Sequence, residues 1–161
     1  GIVEGQFLQI LADAYTPVAD SASIPTGEVA PVEGTPMDFR TEKTIGQDIN
    51  ADFEQLHFTG GYDHNYVLGR PGEKKVMANA YSKESGIAME AATDCCGVQF
   101  YAGNFIGEQA GKDGAAYHDR SGFCLESQFY PNAVNEPDFP SPVVKAGDTY
   151  HTETTYRFYL K

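Results

Sequence analysis

Apolar and polar residues alternate most cleanly over residues 122–128. In an extended chain Phe123, Leu125 and Ser127 fall on one side, and Cys124, Glu126 and Gln128 on the other. This predicts a strand with one apolar face and one face that sets a carboxylate two residues from an amide. Burying an unpaired carboxylate is costly. Glu126 therefore has two readings: an ordinary solvent-facing residue, or a member of a polar site. Similar short runs predict strands over 6–12, 14–18, 29–32, 66–68, 75–81, 87–93, 98–102 and 150–159. In the last, Tyr150, Thr152, Thr154, Tyr156 and Phe158 share a face. Pro17 holds its predecessor extended. Turns are expected where Gly and Pro cluster, at 24–28, 34–36, 70–72 and 82–86. Residues 44–56 leave room for a short helix or an irregular loop, with Asp48 or Asn50 as N-cap. Residues 103–122 read as a long loop with a helical turn near Ala115, and Pro131 starts another helical turn. Short strands without a long amphipathic helix predict an all-β antiparallel sandwich or barrel, with residues 1–161 as a single β-sandwich domain or part of a larger one.

Charge narrows the partners. A formal net charge of -12 argues against nucleic acid and against an anionic membrane surface, since both need clustered Lys and Arg. No apolar run is long enough to span a bilayer, and no basic start with an apolar stretch marks a signal peptide. The three cysteines include the adjacent pair Cys95 and Cys96, which suits neither a disulfide framework nor a zinc site and reads as a buried pair. A reducing, cytoplasmic compartment is the expectation.

Candidate chemistry is sparse. His57, His64, His118 and His151 form no metal-binding pair, and there is no nucleophile elbow or phosphate loop. His57 and His64 bracket a glycine-led loop that presents Asp63, and loop histidines of this kind are usually solvated. Carboxylates remain: Asp63 after a glycine pair, and Glu126 on its strand. Two carboxylates with an amide such as Gln99 suit work on sugar hydroxyls, and the ten Tyr and ten Phe offer rings that can stack on a pyranose.

Several ordered motifs add to this. They are Leu8-Gln9-Ile10; Tyr15-Thr16-Pro17-Val18; Ile24-Pro25-Thr26-Gly27-Glu28; Gly34-Thr35-Pro36-Met37-Asp38-Phe39-Arg40; Gly61-Tyr62-Asp63-His64-Asn65-Tyr66; Gln99-Phe100-Tyr101; and Leu125-Glu126-Ser127-Gln128 followed by Pro131-Asn132-Ala133-Val134-Asn135. From about Leu8 to Tyr159 the chain resembles the C-terminal half of the aldose 1-epimerases, or galactose mutarotases. The resemblance implies the C-terminal portion of a mutarotase-like supersandwich with a sugar cleft on one face. It implies interconversion of the α and β anomers of free aldohexoses such as galactose and glucose. It makes Glu126 the general base and puts Asp63 and Gln99 on the sugar. No metal or organic cofactor is expected, because a hemiacetal opens by proton transfer alone. The chain departs from the family upstream: the histidine motif Asn-His-x-Tyr-Phe-Asn-Leu, which supplies the acid, is absent, and so are the second histidine and the arginine that also reach the sugar. This implies an N-terminal half of the same enzyme as partner. The alternative is a non-catalytic carbohydrate-binding module.

Overall fold

The computed structural model describes all residues, 1–161. In chain order the elements are β1 (Phe7–Ile10), β2 (Ala14–Thr16), β3 (Ala30–Pro31), β4 (Lys43–Thr44), α1 (Glu54–Thr59), β5 (Asp63–Val67), β6 (Lys75–Tyr81), β7 (Ile87–Thr93), β8 (Gly97–Tyr101), β9 (Gln109–Ala110), β10 (Ala116–Tyr117), β11 (Cys124–Gln128) and β12 (Thr154–Leu160). Two five-stranded antiparallel sheets carry the fold, ordered β12-β7-β6-β1-β4 and β11-β8-β5-β2-β3; β9 and β10 form a separate hairpin. This is the antiparallel all-β architecture expected from the alternation.

Period-two alternation decides which residues fill the space between the sheets. Leu8, Ile10, Met77 and Ala91 from one sheet are buried in one core with Tyr15, Tyr66, Val98, Phe100 and Leu125 from the other. Rings of Phe39, Tyr62 and Phe100 meet at centroid distances of 5.0, 5.5 and 5.2 Å. Two buried tyrosines satisfy their hydroxyls on backbone: Tyr62 donates to the Pro36 carbonyl and Tyr66 to that of Met37, each at 3.0 Å. The core rows thereby tie the 36–39 segment across sheet ends.

The helix lies later than the sequence pattern indicates. α1 begins after Phe53, and neither Asp48 nor Asn50 caps it. Both are engaged elsewhere: Asp48 accepts from Lys43 Nζ at 2.7 Å, and Asn50 accepts from Arg120 at 3.2 Å. Residues 45–47 form only a 3₁₀ turn. Likewise Pro131 leads into consecutive turns and no helix, and the turn before Ala115 is 3₁₀, at Lys112–Gly114. The last strand starts at Thr154, so Tyr150 and Thr152 lie before it.

Each sheet ends in two edge strands, β12 and β4 in one and β11 and β3 in the other. β11 pairs only with β8, and β12 pairs only with β7. The two edges lie side by side, joined by Ser127 Oγ to Thr154 Oγ1 at 2.6 Å and by the Tyr156 hydroxyl donating to the Leu125 carbonyl at 2.7 Å. β12 exposes Tyr156, Phe158, Tyr159 and Leu160. Beside it runs an apolar groove of about 620 Å³ that ends at Cys124 and Glu126.

Candidate active site

The glycine pair predicted to present Asp63 does so by ending a helix and starting a strand. Gly60 takes a left-handed conformation (φ 64°) as the cap of α1, and the Gly61 N–H returns to the Leu56 carbonyl at 3.0 Å. Asn104 then straps the turn, donating from Nδ2 to the carbonyls of Thr59 and Tyr62 at 3.0 Å each. Asp63 is consequently the first residue of β5, not a loop residue.

Register sets what stands beside it. Across β5, β8 and β11, Asp63 aligns with Tyr101 and Cys124, and Asn65 aligns with Gln99 and Glu126. Val67, Gly97 and Gln128 form the next row. All of these belong to the face opposite the core, because His64, Phe100 and Leu125 alternate inward between them. The three residues singled out from sequence, Asp63, Gln99 and Glu126, therefore share the outer face of three neighbouring strands. Glu126 itself is exposed on the open edge strand.

A hydrogen-bonded chain links this face. Gln99 Nε2 donates to Asp63 Oδ1 at 2.8 Å. Gln128 Nε2 donates to Gln99 Oε1 at 3.0 Å and to Asn65 Oδ1 at 3.3 Å. Burial raises the Asp63 carboxyl above its ordinary value, and the Gln99 hydrogen bond pulls it partly back. Burial and the neighbouring Glu126 raise the Cys124 thiol, so it is a weak nucleophile. Gln128 and Asn65 were not singled out from sequence as site residues. The signal available was that Gln128 shares the Glu126 face of its strand.

No histidine side chain hydrogen-bonds to a side chain of Asp63, Gln99 or Glu126. His64 is a correction to the sequence reading, which expected a solvated loop residue. It is fully buried on the core face, edge-on to Tyr15 with centroids 5.9 Å apart. Its Nδ1 accepts the Asp63 backbone N–H at 3.2 Å, and burial lowers its pKa to about 4. His57 and His118 are exposed beside Asp52 and Glu108. His151 is exposed and lines a separate cleft with Asp94 and Asp148. Cys95 and Cys96 are buried free thiols, as the pattern predicted. No group of three or more His, Cys, Asp or Glu side chains is placed to hold a metal ion, and no helix is long and apolar enough to cross a membrane.

Fold and site together define a class: an antiparallel β-sandwich bearing a polar, carboxylate-and-amide face on the outside of one sheet. The chain belongs to the aldose 1-epimerase family, whose model matches residues 1–157. It is 45% identical over 150 residues to the galactose mutarotase of Sus scrofa, covering 92% of this chain and 42% of that protein. It is 38% identical over 159 residues to the aldose 1-epimerase of Escherichia coli K12, covering 97% and 45%. Its fold is similar to the crystal structure of an aldose epimerase homologue from C. elegans, with a TM-score of 0.85 and 29% identity over 99% of this chain and 47% of that one. The galactose 1-epimerase of Lactobacillus acidophilus shares the fold at a TM-score of 0.69. The chain thus spans less than half the length of these relatives.

Proposed function

We propose that this chain carries the base side of an aldose 1-epimerase acting on free aldohexoses, galactose and glucose among them. Glu126 takes the proton of the C1 hydroxyl while an acid protonates the ring oxygen. The C1–ring oxygen bond breaks to give the open aldehyde. Rotation about C1–C2 and reclosure, with the protons returned, give the other anomer. Each positioned acid or base contributes on the order of 10²- to 10⁴-fold. Asp63 and Gln99 bind sugar hydroxyls beside the reacting carbon. The register that lines up Asp63, Gln99 and Glu126 on one outer face, in a chain of this family, carries the reading.

The acid is a histidine of a preceding N-terminal half. Two observations support this. No histidine here reaches the site's side chains, and the relatives are more than twice as long as the matched segment. The open edges of β11 and β12 and the apolar groove between the sheets offer such a segment strands to pair with and apolar surface to cover.

Polarimetry of freshly dissolved α-D-galactose tests the reading, with the chain alone, with the N-terminal half added, and with Glu126→Gln. The expected result is no acceleration by the chain alone, acceleration by the pair, and loss of at least about 10²-fold in Glu126→Gln. A pair that is no faster than buffer, or a fully active Glu126→Gln variant, refutes it. Galactose binding by the chain without acceleration in any combination would instead identify a carbohydrate-binding module.

A further inference from the structure

We propose that Gln128 is a positioning residue that holds the Gln99 amide against Asp63 by occupying its other end, and that Asn65 anchors Gln128 from the buried side. A primary amide has two nearly isosteric ends, one a donor and one an acceptor. Nothing in the shape of Gln99 prevents it from turning over. Its hydrogen bonds do. The Asp63 carboxylate accepts only, so the Gln99 end that meets it at 2.8 Å must be Nε2. Oε1 is then turned away and needs a donor, which Gln128 Nε2 supplies at 3.0 Å. Gln128 shows the same nitrogen to Asn65 Oδ1 at 3.3 Å.

Gln128 is the donor at both of its links, inward to Asn65 and outward to Gln99, and Gln99 donates onward to Asp63. The relay's inner end is buried, and Asn65 Nδ2 has no hydrogen-bond partner there. Asn65 is 1% exposed, and no other side chain competes for its Oδ1. The position opposite Gln128 on β8 is Gly97. A Cβ there would run into Asn65 Oδ1 and come within 3.0 Å of the Tyr130 ring. The missing side chain keeps open the space through which Asn65 reaches Gln128.

The fixed sense has a consequence for ligand choice. Gln99 spends one N–H on Asp63 and keeps the other, and Asp63 keeps Oδ2 free. Donor and acceptor therefore stand side by side in a set order. That order suits two adjacent hydroxyls, one accepting from Gln99 and one donating to Asp63. For this use the inference rests on the sugar-site reading above; for the relay itself it does not.

The Asp63 carboxyl is the reporter, followed by carbon-detected NMR titration of the full chain with galactose absent. Gln128→Met leaves Gln99 Oε1 without its donor and frees the amide to swing off Asp63; weakening that hydrogen bond removes part of what holds the Asp63 titration down, so the midpoint moves upward. Gln99→Leu does the same directly. In the Gln99→Leu background Gln128→Met adds nothing, because Gln128 does not touch Asp63. Should the methionine variant not fold, Gln128→Ser, too short to reach Gln99, takes its place. An unmoved midpoint, or an equal shift with and without Gln99, overturns the relay. Galactose is then titrated into the wild type together with the N-terminal half. If Asp63 fails to respond there while the relay passes its own test, the sugar reading falls and the relay stands.

Discussion

Lowering the pH from 7 to 4 should destabilise this protein chiefly through one side chain. His64 is neutral in the fold because its ring is buried among Tyr15 and the core face of β5. The unfolded chain takes up a proton near 6.5, whereas the folded chain resists until about 4. Between those values protonation favours the unfolded state, so stability falls as the pH drops and levels off below 4. At about 1.4 kcal/mol for each pH unit, the interval corresponds to roughly 3 kcal/mol. With a urea slope of about 2 kcal/mol per molar, the midpoint should move down by about 1.5 M. The assay is a set of urea melts between pH 4 and 7, on wild type and on His64→Asn. Asparagine keeps an oxygen to accept the Asp63 N–H and does not titrate. The variant will be less stable overall, having lost the ring, but its midpoint should be much flatter over this range. An equal slope in both proteins refutes the reasoning and assigns the acid sensitivity to other groups.

Two further outcomes follow from particular contacts. Burial raises the folded Asp63 carboxyl above its unfolded value, so its ionisation costs stability once the pH rises through the folded value. Asp63→Asn, which can still accept from Gln99, should therefore raise the melting temperature at pH 7 and lose that advantage near pH 3, while abolishing activity in the reconstituted pair; calorimetry at the two pH values checks the difference. The Lys43 side chain is 10% exposed and donates to Asp48 at 2.7 Å and to the Pro36 carbonyl at 2.8 Å, with its ammonium 4.3 Å from the Phe39 ring centroid. Lys43→Met leaves both acceptors without that donor and should cost about 1–3 kcal/mol in urea unfolding at neutral pH; a cost below about 0.5 kcal/mol would show that this tie is not structural.

Sandwich class, most strands and the outer-face position of Glu126 were legible in the sequence because they follow from period-two alternation, a property of neighbours along the chain. Phe123, Leu125 and Ser127 could be assigned to one side of β11 without knowing what lay there. The motifs carried the family, and with it the expectation for Asp63, Gln99 and Glu126. The cap of α1 was not legible, because Asp48 and Asn50 are both acceptable N-caps until Lys43 and Arg120 claim them from distant segments. His64 was misread for a related reason. Its place in a polar motif hides a parity that puts it inward with Tyr66, and only the register with Phe100 and Leu125 shows the cost of charging it. Gln128 and Asn65 lie 63 positions apart in the chain. Their meeting depends on β5, β8 and β11 pairing in one register and on Gly97 leaving room between them. Local pattern determined which side of each strand is polar; strand pairing, a long-range property, decided which polar groups touch.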